Sequence, residues 1–140
     1  MKNEFIRRLD EVSISDIGLV GGKNASIGEM IQNLSAADVR VPGGFAVTST
    51  AFDFFLRENK LEDAIYKKIE ELNVDDVEQL KDCGSFIRGL ILDSAVPDIL
   101  GDAIEHAYNQ MSEKISGKFS VAVRSSATAE DLPDASFAGQ

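Results

Sequence analysis

The stretch Val20–Met30, which reads VGGKNASIGEM, decides the predicted fold because it joins a glycine pair to a helical pattern. Leu19-Val20 leads into it as a short apolar step, which we predict to be a strand. Apolar residues then recur at helical spacing, and they are Ile27, Met30, Ile31 and Leu34. A helix is therefore predicted to begin near Asn24 or Ala25 and to end near Asn33.

The sequence Gly21-Gly22-Lys23 suits the binding of an anion. Glycines let backbone amides approach a phosphate closely, and a helix N-terminus adds N–H donors and a partial positive charge. Lys23 stands where its ammonium group could reach the same anion. The loop is not a Walker A motif, which needs a glycine where this chain has Ile17 and Ser or Thr where it has Asn24. A tight turn beside a solvated lysine is the alternative interpretation.

A second segment with anion-binding chemistry lies near the other end of the chain. Phe119–Val123 alternates as a strand and delivers Arg124 at its end, followed by the pair Ser125-Ser126. A guanidinium group can hold phosphate oxygens bidentately, and serine hydroxyls or backbone amides can add donors. The alternative is that Arg124 pairs with Asp131 or Asp134 and only orders the loop.

The last residues combine an acidic loop with a stretch of small side chains. Ala135–Gln140 could wrap a polyphosphate with its backbone N–H groups. Glu130, Asp131 and Asp134 precede it, and carboxylates are suitable ligands for Mg²⁺. Nothing in the spacing fixes three ligands in one geometry, so we interpret them as a solvated acidic loop. No metal ligand is predicted within the chain.

Between these segments the pattern predicts a strand and several helices. Pro42–Gly44 is a turn or bulge signal, Phe45–Val47 reads as a short buried strand, and Thr48–Thr50 offers N-caps for a helix. The predicted helices are one with Phe52, Phe55 and Leu56, one with Leu61, Ile65, Ile69 and Leu72, one over Val77–Leu92, and one with Leu100, Ala103, Ile104, Ala107 and Met111 that starts after Ser94 and Pro97. The predicted fold class is α/β (α+β mixed), with short strands and several helices.

Composition sets limits on the class of protein. The 140 residues suit one domain with a modest core, and 44% hydrophobic residues argue against disorder. A net charge of -10 repels nucleic acid and anionic membranes, so neither is expected as a partner. The single cysteine, Cys83, excludes an internal disulfide and is predicted to be a core or boundary residue. Without a signal region or a long apolar run, we predict a cytoplasmic protein.

Three signatures in this sequence resemble those of the phosphoenolpyruvate synthase (pyruvate, water dikinase) family. They are Val20–Met30, Val41–Ala46 with Thr48, and Val123–Gln140, and they lie in the order that the family has. The resemblance covers nearly the whole chain, and the three signatures together are specific for the pyruvate phosphate dikinase-type AMP/ATP-binding domain. Ala127–Gln140 favours the synthase over pyruvate, phosphate dikinase.

The resemblance implies that residues 1–140 are the N-terminal part of an ATP-grasp-like nucleotide domain. In that family ATP phosphorylates a histidine on a separate domain, and the phosphoryl group then passes to pyruvate, giving phosphoenolpyruvate, AMP and phosphate. By motif match, Lys23 and Arg124 neutralise the ATP phosphates beside Gly21 and Gly22. The loop over the triphosphate is expected to contain Ser136, Phe137, Ala138 and Gly139.

Much of such an enzyme is expected beyond Gln140, and we interpret the chain as a truncation. The missing parts include most adenine and Mg²⁺ contacts, the phosphohistidine domain and the pyruvate-binding domain. The expected cofactors are therefore ATP and Mg²⁺, with the Mg²⁺ ligands outside this chain and pyruvate reached only through missing domains. His106 matches no phosphohistidine motif and is interpreted as a structural or surface residue. The resemblance also allows a homodimeric parent enzyme.

Two other functions stay open from the sequence. An antibiotic phosphotransferase of the rifampin type shares this ATP domain but has a different acceptor. A free-standing binding module could have kept the fold without the chemistry. On the synthase interpretation, the chain is part of a kinase, binds ATP phosphates and contains no catalytic residue, so it is expected to be inactive alone.

Overall fold

A computed structural model describes residues 4–34, 41–113 and 117–129 of the chain. In these ranges the fold is mixed α/β and mostly helical, with a small antiparallel sheet. The elements are β1 (Ile6–Arg8), α1 (Ile17–Val20), α2 (Gly22–Leu34), β2 (Phe45–Val47), α3 (Ser49–Glu58), α4 (Glu62–Glu70), α5 (Val77–Leu92) and α6 (Asp98–Ser112), with short 3₁₀ turns at Leu9–Glu11 and Ile14–Asp16.

The chain divides into two compact units. The first consists of Met1–Phe52 and Ile99–Gln140, and the second of Asp53–Asp98. Within the described ranges, no helix combines the length and the apolar character that crossing a membrane requires.

The described sheet of the first unit pairs β1 with β2. The strands run antiparallel, with Ile6 opposite Val47 and Arg8 opposite Phe45. The prediction of β2 is confirmed, whereas the sequence patterns predict no strand at β1. A strand of three residues that contains two arginines is too short to show the alternation by which strands are found in a sequence.

Thr48 connects this sheet to α3. Its side chain is almost fully buried, and its hydroxyl donates to the carbonyl of Glu4 at 2.7 Å while accepting the N–H of Ala51 at 3.2 Å. Threonine is one of the residues that suit this capping position, because its oxygen satisfies an N–H that the helix cannot. The predicted N-cap is thus confirmed at Thr48.

The core of the first unit forms where α2 packs on the turn after β1. Its buried residues are Leu9, Val12, Val20, Ala25 and Ala46, with Ile17, Leu19, Ile27 and Ile31 packed against them. Gly28 allows the closest approach, because a Cβ there would lie 2.1 Å from the carbonyl oxygen of Val12. Gln32, one turn further along α2, donates to the same carbonyl at 2.9 Å.

The second unit is helical, as the apolar spacing predicts. The bounds of α5 agree with the predicted Val77–Leu92, and Asp76 caps that helix by accepting the N–H groups of Glu78 and Gln79. Cys83 is buried on α5, with its thiol 3.9 Å from the carbonyl oxygen of Lys68 on α4. The prediction that Cys83 is a core residue is confirmed.

Two predicted strands are wrong. Leu19-Val20 belongs to the single helical turn α1, because a short apolar run looks the same in a strand and in a buried helix. Phe119–Val123 has no regular secondary structure, and its valines are exposed, Val123 to 93%. A strand needs a partner for its backbone groups, and the sheet of the described residues contains only β1 and β2.

The end of α3 carries a strained backbone position at Lys60, whose φ is 56°. The N–H of Leu61 donates to the carbonyl of Leu56 at 2.9 Å, and the N–H of Lys60 donates to that of Arg57 at 3.0 Å. This is a Schellman motif, in which glycine is the favoured residue at the left-handed position. Leu56 and Leu61 are both buried, as suits the positions at which this motif commonly has apolar residues.

Replacing Gly28 tests the approach of α2 to Val12. We expect Gly28→Ala to lower the free energy of unfolding by about 2 kcal/mol or more, because the new methyl group overlaps a backbone carbonyl that cannot move alone. Gly89→Ala in α5 is the matched control, since a Cβ there meets nothing within 4 Å. Urea denaturation followed by circular dichroism measures both, and equal stabilities would contradict the close approach.

Replacing Lys60 tests the strain at the end of α3. Lys60→Gly should raise the free energy of unfolding by about 0.5–1 kcal/mol, because glycine adopts the left-handed conformation without a steric cost. Lys60→Ala, which keeps a Cβ, should give no such gain. Thermal denaturation of both variants is the measurement, and a gain shared by the alanine variant would show that strain is not its source.

Candidate functional site

The glycine pair lies between two helices. The N–H of Gly21 closes α1 by donating to the carbonyl of Ile17 at 2.8 Å, and its φ of 81° then turns the chain. α2 begins at the next residue, Gly22, and both glycines are buried. The predicted glycine turn at a helix N-terminus is therefore present, although a helical turn precedes it where a strand is predicted.

Lys23 is exposed and lies in the first turn of α2. The first backbone hydrogen bond of the helix ladder runs from the N–H of Ala25 to the carbonyl of Gly21 at 3.1 Å. The amides of Gly22, Lys23 and Asn24 come before it, in the first turn of the helix. This end of α2 also carries the positive end of the helix dipole, which favours an anion.

The carbonyl of Val20 connects the turn at Gly21 with the segment that contains Ser126. It accepts a hydrogen bond from the side-chain amide of Asn24 at 2.8 Å and another from the hydroxyl of Ser126 at 2.7 Å. Ser126 is 106 residues further along the chain than Val20. The structure thus places the segment that follows Arg124 against the turn that precedes Lys23.

Gly21 has to lack a side chain for this contact to form. A Cβ at this position would lie 2.2 Å from Oγ of Ser126 and 2.9 Å from the carbonyl oxygen of Ala127. Both distances are shorter than real Cβ contacts, and the positive φ independently disfavours any other residue. The conformation of the turn and its contact with Ser126 thus require the same glycine.

Arg124 is exposed and precedes Ser126 by two residues. The start of its segment is held by Phe119, whose ring packs edge-on against that of Tyr108 on α6 with 5.1 Å between the centroids. Both cations of the predicted site therefore lie on segments that meet at Val20. Ser136, Phe137, Ala138 and Gly139 lie outside the described residues, as do Glu130, Asp131 and Asp134.

In residues 4–34, 41–113 and 117–129, no group of three or more His, Cys, Asp and Glu side chains is arranged to hold a metal ion. His106 is an exposed residue of α6, with Nε2 3.0 Å from Nε2 of Gln110. This agrees with the interpretation of His106 as a surface residue.

A cleft of about 480 Å³ in the first unit lies apart from the glycine turn. Its lining includes Arg8, Glu11, Ala107 and Met111, and it includes none of the predicted site residues that the structure describes. Arg8 makes a forked hydrogen bond to Asp10, with Nε 2.9 Å from Oδ1, and this bond raises the pKa of the guanidinium group. Because a carboxylate already engages Arg8, the charge of this guanidinium group is less available to an anion in the cleft.

Sequence reasoning offered the Ser126 hydroxyl as a phosphate donor and predicted neither its bond to Val20 nor the bond of Asn24 to the same carbonyl. The spacing of Asn24 and Val20, four residues apart, could have indicated a side-chain bond to the carbonyl one turn back. The contact of Ser126 had no such signal, because a serine hydroxyl suits many acceptors and the two residues are far apart in sequence.

Residues 17–140 match the family model described as pyruvate phosphate dikinase, AMP/ATP-binding domain. Since the match covers most of the chain, this protein belongs to that family. It is also similar to named phosphoenolpyruvate synthases. The identity is 54% over 137 residues with that of Deinococcus radiodurans, 54% over 133 with that of Aquifex aeolicus, and 49% over 131 with that of Escherichia coli K12.

The alignments cover nearly all of this chain but a small share of the relatives. They span 98% of the chain and 17% of the Deinococcus protein, and 94% of the chain and 16% of each of the other two. The chain therefore spans about one-sixth of the length of these relatives.

Replacing Gly21 tests the geometry of the turn. Gly21→Ala should destabilise the chain by about 2 kcal/mol, because the left-handed backbone disfavours alanine and the methyl group overlaps Ser126. Gly18→Ala, three residues earlier, meets nothing within 4 Å and should be close to neutral. Denaturant unfolding gives the stabilities, and ¹⁵N–¹H spectra should show the Ser126 amide displaced only by Gly21→Ala.

Proposed function

We propose that this chain is part of the ATP-binding domain of a phosphoenolpyruvate synthase and that the N-terminus of α2 binds the ATP phosphates. The observation that carries the proposal is the contact of Ser126 with Val20. That contact brings together two segments of the chain that each contain a cation and backbone or hydroxyl donors. The similarity to named phosphoenolpyruvate synthases supports the same conclusion.

The residues of the α2 turn fit a polyphosphate. The amides of Gly22 and Lys23 lie at the positive end of a helix of 13 residues, which favours the binding of an anion. In the proposal the ammonium group of Lys23 and the guanidinium group of Arg124 neutralise phosphate oxygens. Local cations matter here because the net charge of -10 would otherwise repel ATP.

Arg124 and Lys23 are proposed to have different tasks. A guanidinium group presents a planar fork that matches two phosphate oxygens, so Arg124 is suited to orient the phosphate chain. The ammonium group of Lys23 is a compact charge on a flexible side chain, so it can move to whichever phosphate group carries the most negative charge. The loop Ser136–Gly139 is proposed to cover the triphosphate with backbone N–H groups.

Bound ATP would supply the phosphoryl group, and we propose that the reaction itself depends on parts of the protein outside this chain. The proposed overall reaction converts ATP, pyruvate and water to AMP, phosphoenolpyruvate and phosphate through a phosphohistidine. Mg²⁺ is proposed as a second cofactor, held by ligands outside this chain. Phosphoryl transfer depends mainly on positioning and charge stabilisation, and positioning is the task proposed for Lys23 and Arg124.

The wider organisation belongs to the same proposal. We place residues 1–140 in the N-terminal lobe of an ATP-grasp-like domain and expect a cytoplasmic enzyme, which can be a homodimer. The rifampin-type phosphotransferase is not favoured, because the relatives reported above are named phosphoenolpyruvate synthases. A module that binds ATP without a parent enzyme would show the same phosphate contacts, so only the length of the native protein distinguishes it.

Titration of the ¹⁵N-labelled chain with Mg-ATP tests the site. The amides of Gly22, Lys23 and Arg124 should shift, together with those of Ser136–Gln140. Lys23→Gln and Arg124→Gln should each weaken binding about tenfold or more, which is the loss expected for a charge-assisted hydrogen bond. Binding by the parent chain is expected to be weak, because most adenine contacts are proposed to lie elsewhere.

Lys81→Gln is the matched control for this titration. Lys81 is an exposed lysine of α5, and its replacement removes one positive charge as the other two variants do. It should leave the affinity unchanged, which separates local contacts from overall charge. Shifts confined to α4 and α5, or ATP hydrolysis by the chain alone, would contradict the proposal.

A further inference from the structure

We infer that Ser126 is a positioning residue for the phosphate site, and this inference rests on the proposed function. Its hydroxyl donates to the carbonyl of Val20 at 2.7 Å, at the point where α1 ends and the glycine turn begins. This bond fixes the segment of Arg124 against the segment of Lys23. Ser126 thus acts through Arg124.

The hydrogen-bond chemistry argues against Ser126 as a direct phosphate ligand. A serine hydroxyl has one proton, and in this structure that proton is directed to the carbonyl oxygen of Val20. Phosphate oxygens are acceptors and need donors. With its proton engaged, the hydroxyl of Ser126 could offer a phosphate only lone pairs, which would repel it.

The carbonyl of Val20 is a firm anchor for this bond. A backbone carbonyl oxygen has two lone pairs, and here Asn24 and Ser126 each donate to it, at 2.8 and 2.7 Å. Val20 itself is buried in the core of the first unit, so its carbonyl belongs to a packed part of the structure. The position of the Ser126 hydroxyl is therefore set by the core.

The distance along the chain makes Ser126 effective in placing Arg124. Two residues of extended chain reach at most about 7 Å, so anchoring Ser126 confines the Cα of Arg124 to that radius. The other anchor of the segment, the contact of Phe119 with Tyr108, is five residues from Arg124 and confines it less. Loss of the Ser126 bond should therefore increase the mobility of Arg124 more than that of the residues close to Phe119.

The test is Mg-ATP binding by Ser126→Ala in the 140-residue chain. We expect the dissociation constant to rise about fivefold, as for the loss of one ordinary hydrogen bond, with the amide of Lys23 shifted in the free protein. Ser94→Ala is the matched control, because Ser94 Oγ donates to the carbonyl of Leu90 at the same 2.7 Å. It should leave Mg-ATP binding unchanged.

Two further variants separate positioning from stability. Ser126→Thr keeps the hydroxyl and should restore binding, whereas Ser126→Cys keeps the size but donates weakly and should bind with an intermediate affinity. Arg124→Gln should weaken binding less in the Ser126→Ala background than in the parent chain. A purely structural role would move the melting temperature without changing the effect of Arg124→Gln.

The outcomes distinguish this inference from the proposed function. If the parent chain does not bind Mg-ATP, the proposed function fails, and the positioning role fails with it. If the parent chain binds and Ser126→Ala binds equally well, only the positioning role is overturned. An unchanged effect of Arg124→Gln in both backgrounds would overturn it too, and this comparison can be repeated with Ser126→Cys should the alanine variant not fold.

Discussion

The close approach of α2 to the carbonyl of Val12 is the constraint on which the first unit depends. Gly28 makes the approach possible, and Gln32 donates to the same carbonyl from the next turn of the helix. Glu29, between them, accepts the N–H of Ile14 at 3.2 Å. One stretch of α2 therefore holds the whole turn that follows β1. Because a helix is stiff, fixing this stretch also fixes its N-terminus, where Lys23 lies.

Local patterns in the sequence predicted much of this fold, and the reason is physical. In helices α3 to α6 apolar residues recur at helical spacing, and this pattern is visible in a single sequence. β1 could not be found in this way, because three residues contain too little pattern and its partner β2 lies about forty residues away. The α1 turn was confused with a strand because four apolar-rich residues suit either structure.

In the candidate site, too, local sequence patterns predict some features, whereas contacts between distant residues are seen only in the structure. Glycines before a helix and an arginine among hydroxyl residues are local signals, and from them Gly21, Lys23 and Arg124 are predicted to belong to a phosphate site. The contact that joins the two segments is not local, because it links Val20 to Ser126. A serine gives no indication of which distant carbonyl it will bond, so only the folded structure could identify this pairing. The family resemblance led to the expectation that the two segments lie together. The structure shows the hydrogen bond between Ser126 and Val20 through which they meet.

The length of chain enclosed by the Val20–Ser126 contact has a consequence for the order in which the protein folds. Closing a loop of 106 residues costs about 4 kcal/mol in chain entropy, more than a single hydrogen bond contributes. That bond therefore cannot nucleate folding and has to form after packing has already shortened the loop. During synthesis α2 and the core around Val12 leave the ribosome well before Ser126 does. We therefore expect the N-terminus of α2 to form early in folding, and the segment that contains Arg124 and Ser126 to pack against it late.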